Sequence, residues 1–255
     1  MKILTTIACY SGNDNQYIRT VVDELKQFSD VVIFATEIMN IDGVKTEIRS
    51  KSLGHGLVFE PRQYIIDHLN EYDYFLYNED DIFISGESLE FAIEINEKLI
   101  KKDIQYNVGF LRYEMEGQKE EFVDLAPYNS VNLEGNGVTD IIKFITKFDD
   151  QYYFHAWNPH SGNFLFSRDQ VQLLYSNNKF PVTPERSFCG ILESGATGFV
   201  GSIMKFSPVK DYRKLMVHHM SNKYVFNPVK VDCSLLDNFF KFLPEDLPHY
   251  YLNLK

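Results

Sequence analysis

The chain has 255 residues, 44% of them hydrophobic, which is enough apolar sequence to form the core of one large domain. A formal net charge of −11 argues against a nucleic-acid partner, which would need a basic surface. Cys9, Cys189 and Cys233 are far apart and form no CxxC pattern, which argues against a zinc site and is compatible with a reducing compartment.

The first fifty residues predict a β-α-β unit. Residues 2–9 are apolar enough for a buried strand, and Asp14 is a plausible N-cap for a helix with apolar spacing up to residue 28. Residues 31–35 predict a second strand and residues 44–49 a short third one. This order favours a parallel sheet with right-handed crossovers.

The N-terminus does not resemble a targeting segment. Its apolar stretch is a single strand's length and polar residues follow at position 11, so it does not predict a signal peptide. No apolar run approaches the ~20 residues that span a membrane. We therefore expect a cytoplasmic protein without a transmembrane segment.

Three consecutive carboxylates, Glu79, Asp80 and Asp81, follow a predicted helix that begins at Pro61 and a predicted strand over residues 72–78. Apolar sequence resumes directly after them. Acidic side chains at the end of a buried strand repel one another and are costly to hold near apolar surface. A divalent cation with oxygen ligands would offset this cost, whereas the alternative is an acidic turn that binds nothing.

The segment YDYFLYNEDDI resembles the DxD region of metal-dependent glycosyltransferases of the GT-A fold, in the variant form Glu79-Asp80-Asp81. The resemblance implies Mn²⁺ or Mg²⁺ and a nucleotide-sugar donor, most often UDP-linked. By position in the motif, Asp81 binds the metal and Asp80 meets ribose or sugar hydroxyls. Glu79 replaces the usual Asp with a longer side chain, so it ligates the metal directly or through water.

Other donor contacts are predicted from location. Arg62 lies on the predicted helix before the strand that ends at the acidic residues. Its guanidinium matches phosphate oxygens and could contact the donor diphosphate or sugar, whereas the alternative role is a surface salt bridge. Tyr10 and Ser11 follow the first strand, where the resembling family usually holds the nucleoside base.

After a predicted helix over residues 87–101 the pattern becomes more mixed. Strands are predicted over residues 107–115 and 121–125, two more within 151–168, and another over 202–206. A helix capped by Ser167 or Asp169 reaches residue 176, and a further helix covers residues 184–197. The fold class predicted is α/β: a GT-A-like single domain over 1–255, with a Rossmann-like nucleotide-binding half over about 1–103 and a mixed α/β acceptor half over about 104–255.

The resemblance also implies a histidine as a further metal ligand near the C-terminal end. His218 and His219 are the candidates, and strand alternation sends their rings to opposite faces. We choose His218. The alternative is that both are ordinary surface or core histidines.

Two residues are predicted to act on the acceptor. Glu193 is the candidate base for an inverting transfer, which needs a carboxylate to take the hydroxyl proton, and Glu185 competes for this role. Trp157, the only tryptophan, is a candidate platform for stacking a sugar, although a half-buried core position is the more common role.

Together these features predict a glycosyltransferase that moves a sugar from a nucleoside-diphosphate donor to a glycan or other hydroxyl acceptor. One alternative is a non-catalytic carbohydrate- or nucleotide-sugar-binding protein of the same fold. Another is a metal-dependent phosphohydrolase, which would need more clustered His and Asp ligands to hold two metals.

Overall fold

The computed structural model describes residues 1–10, 12, 15–123, 142–158, 160–181, 194–196, 202–224, 231–241 and 249–251. The chain divides into two compact units. The first unit contains Met1–Gly86 and Gly162–Ile203, and the second contains Glu87–Ser161 and Met204–Lys255. The first unit is therefore built from two stretches that are distant in sequence.

The described helices and strands alternate along the N-terminal part of the chain. In order they are β1 (Ile3–Cys9), α1 (Ile18–Leu25), β2 (Asp30–Ala35), β3 (Lys45–Ile48), a 3-10 helix (Lys51–Phe59), α2 (Glu60–Asp67), β4 (Tyr74–Glu79), β5 (Ile82–Phe83) and α3 (Gly86–Ile100). Strands dominate the remainder, which contains β6 (Tyr106–Val108), β7 (Leu111–Glu116), β8 (Lys119–Phe122), β9 (Ile142–Phe148), β10 (Gln151–Ala156), β11 (Asn163–Ser167), α4 (Arg168–Ser176), β12 (Met204–Pro208), a 3-10 helix (Tyr212–Leu215), β13 (Met216–His219), β14 (Val231–Asp232), α5 (Cys233–Lys241) and β15 (His249–Tyr251).

A sheet in the order β11-β4-β1-β2-β3 forms the centre of the first unit. The neighbours from β4 to β3 pair in parallel, and β11 pairs antiparallel to β4. This confirms the predicted β-α-β unit. Ala8 pairs with Glu79, so the carboxyl ends of β1 and β4 lie side by side. Ligands of open α/β sheets commonly bind beyond such ends.

All seven residues of β1 are buried, because parallel strands are covered on both faces. Apolar side chains from β1, β2, β4 and β11 pack with helix α4 in one core cluster. Phe34, Phe75, Phe164 and Phe166 are among its fully buried members. The aromatic content of the sequence thus serves the core to a large extent.

The second unit contains two groups of strands. One follows the order β15-β9-β10-β12-β6, and the other contains β14, β8, β7 and β13 as successive neighbours. The continuous strand predicted over residues 107–115 is wrong, because the chain forms β6, leaves strand geometry at Gly109 and then forms β7. The N–H of Gly109 donates to the Phe206 carbonyl (2.9 Å), and the Ser207 hydroxyl donates to the Gly109 carbonyl (2.7 Å). These bonds hold the point where pairing changes from β12 to β13.

The helix predicted to end at residue 176 is present as α4. Ser167 caps α4 in a reciprocal capping box with Gln170, as one of the two predicted caps. The proposed cap Asp14 lies outside the described residues. The helix predicted over 184–197 also lies outside them except for residues 194–196, which are helical.

The α/β fold class is confirmed by the central sheet and the helices that surround its strands. Within the described ranges, no helix combines the length and the apolar character that a membrane crossing requires.

Candidate functional site

The acidic triplet lies in a tight turn at the carboxyl end of β4. The N–H of Glu79 donates to the Gly162 carbonyl (2.9 Å), which fixes the last residue of the strand. The side-chain amide of Asn78 is completely buried and donates to the carbonyls of Glu79 (2.9 Å) and Ile82 (2.7 Å). One amide therefore ties both ends of the turn and holds the backbone of Asp80 and Asp81 between them.

Gly162 determines how closely the chain approaches this turn. Its φ is 71°, a left-handed conformation that glycine adopts readily. A Cβ at this position would lie 2.8 Å from Glu79 Oε2 and 2.8 Å from Ile82 Cγ1. Both the backbone conformation and the lack of space therefore favour glycine.

Asp80 is held by hydrogen bonds from two other segments. The Asn15 side chain and the Tyr10 backbone N–H donate to its carboxylate, and the neighbouring Cys9 thiol donates to the Gly12 carbonyl. Burial raises the pKa of Asp80 above its ordinary value of 3.8, and the charge of Asp81 raises it further. The hydrogen bonds lower the pKa and offset these effects only in part. The carboxylate is thus well positioned but costly to ionise.

Asp81 is 7% exposed, and Glu79 is partly exposed. Three neighbouring carboxylates provide oxygen ligands of the kind that Mg²⁺, Mn²⁺ and Ca²⁺ prefer. The raised pKa of Asp80 means that its charged form is disfavoured. A cation at this turn would stabilise that charged form. No group of three or more His, Cys, Asp or Glu residues in the described part of the chain is already arranged to hold a metal. Metal ligation by Asp81 and Glu79, by Mn²⁺ or Mg²⁺, stays a prediction.

An exposed aromatic pair lies next to the end of β1. The rings of Tyr10 and His55 meet edge to face with centroids 5.4 Å apart, and Tyr10 is 46% exposed. Gly54, the residue before His55, has a φ of 54°, a left-handed conformation that glycine adopts readily. The backbone of Tyr10 also bonds to Asp80. The aromatic pair and the acidic turn thus share one edge of the sheet, while Ser11 lies outside the described residues.

Arg62 is buried rather than presented on the surface, with 1% of its area exposed. Its Nη2 donates to the carbonyls of Ser194 (2.9 Å) and Gly195 (3.1 Å), and its guanidinium lies 4.9 Å from the ring centroid of Phe59. Burial lowers the pKa of Arg62 to about 10. These contacts tie α2 to the chain around residue 195. The predicted contact with the donor diphosphate stays a prediction.

His218 and His219 point to opposite sides of β13, as strand alternation predicts. His218 is half-buried and stacks on Tyr113 with centroids 5.0 Å apart, and burial lowers its pKa. His219 is 3% exposed and its Nδ1 bonds to Glu114 Oε1. Metal ligation by His218 stays a prediction.

Trp157 is the candidate acceptor residue that lies within the described part of the chain. Trp157 follows β10 and is partly exposed, with the Lys143 ammonium 5.4 Å from its ring centroid. Its role in stacking a sugar stays a prediction. Glu193 and its competitor Glu185 lie outside the described residues.

Sequence reasoning missed Asn15, Gly162 and Glu114. Asn15 stands shortly before an amphipathic helix, and Asn is among the residue types preferred as helix caps, so this signal could have identified it. Glu114 is a lone acid within a predicted strand and is completely buried. The role of Gly162 depends on the pairing of β11 with β4, which no local pattern specifies.

A scan against family models finds no match, and a search of curated proteins finds none either. A comparison with solved structures finds similarity to mannose-1-phosphate geranyltransferase from Thermus thermophilus. The two chains are 10% identical and align with a TM-score of 0.43, covering 86% of this chain and 74% of that one.

Proposed function

We propose that this chain is a metal-dependent glycosyltransferase that moves a sugar from a nucleoside-diphosphate donor to a hydroxyl acceptor. The preferred donor is a UDP-sugar, and the reaction belongs to glycan or polysaccharide assembly. The observation that carries the proposal is the pair of adjacent carboxylates, Asp80 and Asp81, at the shared carboxyl end of β1 and β4. Burial and mutual repulsion raise the pKa of Asp80. A carboxylate held under this cost at a sheet edge is a frequent mark of a functional site.

Each residue of the acidic turn has its own role in donor binding. Asp81 and Glu79 hold the cation, which, when bound, neutralises the negative charge that develops on the departing diphosphate. Asp80 is oriented by the Asn15 side chain and the Tyr10 backbone N–H, and it accepts from a ribose or sugar hydroxyl. Its restrained orientation reduces the conformational entropy lost on donor binding.

The exposed pair of Tyr10 and His55 provides the contact for the nucleobase. An aromatic ring offers a flat apolar face while the neighbouring imidazole contributes a polar edge. The pair is connected to the acidic turn through the backbone of Tyr10. Base and diphosphate would therefore be held from the same segment of the chain. On the acceptor side, Glu193 takes the hydroxyl proton.

The test is calorimetry of UDP binding with Mn²⁺ and with EDTA, on the wild type and on two variants. Asp81→Asn preserves the size of the side chain but removes one charged ligand, whereas Asp23→Asn removes an exposed carboxylate of α1 that pairs with Lys26. We expect Mn²⁺ to strengthen UDP binding at least ~10-fold in the wild type and in Asp23→Asn, and to have little effect in Asp81→Asn. Equal UDP affinity with and without Mn²⁺ in the wild type would overturn the metal-dependent assignment.

A second measurement separates a transferase from a binding protein. UDP release from a panel of UDP-sugars is followed with Mn²⁺ and a mixture of sugar acceptors, beside GDP- and dTDP-sugars. Metal-dependent release that depends on Asp81 supports transfer or slow donor hydrolysis. Tight metal-dependent binding with no release from any donor favours the non-catalytic alternative.

A further inference from the structure

Three side chains of the second unit form a continuous hydrogen-bonded series. Glu114 Oε1 bonds to His219 Nδ1, and His219 Nε2 lies 2.8 Å from the Ser221 hydroxyl. Glu114 is completely buried, His219 is 3% exposed and Ser221 is partly exposed. The series therefore runs from the interior, through the imidazole, to a partly exposed serine.

The carboxylate is fixed from its other oxygen. Glu114 Oε2 accepts the backbone N–H of Tyr224 at 2.8 Å, and the Tyr224 ring stacks on His219 with centroids 5.5 Å apart. A carboxylate accepts, so it selects the form of the imidazole that carries a proton on Nδ1. Nε2 of the neutral ring is then an acceptor aimed at the Ser221 hydroxyl.

Local backbone geometry presents the hydroxyl. Residues 219–222 form a tight turn closed by the Asn222 N–H and the His219 carbonyl (3.1 Å). Asn222 has a φ of 48°, and its side-chain oxygen accepts the N–H of Met115 at 2.9 Å. The turn that follows β13 is thus anchored to β7, the strand that carries Glu114.

We propose that Ser221, His219 and Glu114 form a second active site in which Ser221 is an acyl-accepting nucleophile for small carboxylic esters. Ser221 Oγ attacks the ester carbonyl carbon and forms a new C–O bond while its proton passes to His219 Nε2. His219 then gives this proton to the alcohol oxygen as the original ester bond breaks. Water cleaves the acyl-serine by the same proton route and restores the free hydroxyl.

Each member has a defined role. Ser221 reacts with the substrate and His219 transfers the proton, so both are catalytic residues. Glu114 is a positioning residue, because it orients the imidazole and stabilises its protonated form from the interior. The activity is independent of metal, and its failure would leave the proposed sugar transfer untouched.

A fluorophosphonate probe tests the proposal, because attack by an activated serine displaces fluoride and leaves a stable phosphonylated residue. The 255-residue chain is labelled, digested and examined by mass spectrometry. We expect labelling on Ser221 and at least ~10-fold less in Ser221→Ala. The matched control is Ser176→Ala, an exposed serine at the end of α4, which should label as the wild type does.

Two further readouts separate catalysis from a purely structural turn. Hydrolysis of p-nitrophenyl acetate should be lost in Ser221→Ala, a change that removes one hydroxyl and leaves circular dichroism unchanged. Glu114→Gln keeps the Ser221 nucleophile. It should lower the rate of Ser221 labelling by about 10²-fold or more and alter the pH profile of that rate. Absence of labelling on wild-type Ser221, or equal ester hydrolysis by Ser221→Ala, would overturn the proposal.

Discussion

The side chain of Asn15 donates a hydrogen bond to the carboxylate of Asp80. Its Oδ1 also accepts the backbone N–H groups of Tyr17 (2.8 Å) and Ile18 (3.2 Å), where helix α1 begins. One amide thus connects the start of a helix to the acidic turn. The orientation of Asp80 depends on a residue that is distant in the sequence and belongs to another strand-helix connection.

Substituting Asn15 in two ways separates its contacts. Asn15→Ala loses both, and we expect it to reduce the free energy of unfolding by about 1 kcal/mol and to weaken metal-dependent UDP binding. Asn15→Asp keeps a capping oxygen but replaces the donor to Asp80 with a negative charge. It should be closer to the wild type in urea unfolding and still bind UDP poorly. Wild-type binding by Asn15→Asp would show that this hydrogen bond does not matter for the site.

Asp80→Asn tests the cost of ionising the acidic turn. The pKa of Asp80 is raised in the folded state, so the folded protein binds a proton more readily than the unfolded chain does. The free energy of unfolding should therefore fall as pH rises from the ordinary value of 3.8 through the raised folded pKa. We expect Asp80→Asn to have a higher Tm than the wild type at neutral pH and to lose this advantage as pH approaches 3.8. A variant that is less stable at every pH would contradict the prediction.

Gly162→Ala tests the close approach of β11 to the acidic turn. We expect a loss of about 1–3 kcal/mol in the free energy of unfolding, because alanine is strained at positive φ and its Cβ would press on Glu79 and Ile82. Gly117→Ala is the matched control, since Gly117 has a φ of 64° and open space at the Cβ position. The difference between the two variants in urea unfolding reports the collision alone. Equal losses in the two variants would show that backbone strain at positive φ, and not the contact with Glu79 and Ile82, causes the destabilisation.

Alanine substitution of the adjacent histidines should have unequal effects. His219→Ala leaves the buried Glu114 carboxylate without its imidazole partner, and we expect a loss of about 3–5 kcal/mol in stability. His218→Ala removes a stacking contact with Tyr113 and should cost about 1 kcal/mol. In calorimetry, His218→Ala should weaken metal-dependent diphosphate binding more than His219→Ala. The reverse order in binding would move the ligand role to His219.

Glu193→Gln is expected to abolish transfer and to leave donor binding nearly intact. The base acts on the acceptor hydroxyl only in the transition state, so its loss lowers the rate by about 10²–10⁴-fold without weakening ground-state binding. The measurement is donor affinity by calorimetry beside the transfer rate. Normal transfer in Glu193→Gln with none in Glu185→Gln would assign the base to Glu185, and normal transfer in both would favour a retaining mechanism or another base.

The sequence by itself determined the local elements and the position of the acidic turn. Periodic apolar residues and short apolar runs specify α1 and β1, because these signals depend on neighbours within a few residues. Ser167, one of the two predicted caps of α4, follows from the same kind of local signal. The alternation of His218 and His219 across β13 also follows from strand geometry alone.

Only the tertiary structure decided which distant residues meet. The return of Gly162–Ile203 to the first unit depends on pairing between β11 and β4, and such non-local pairing is not encoded in any short pattern. The same reason explains why the contact of Gly162 with Glu79, the bond from Asn15 to Asp80 and the pairing of Glu114 with His219 could not be read from spacing. The tertiary structure also decided the environment of Arg62. A guanidinium on a helix can face solvent or bond to carbonyls in the core, and the segments that pack against α2 place Arg62 in the core.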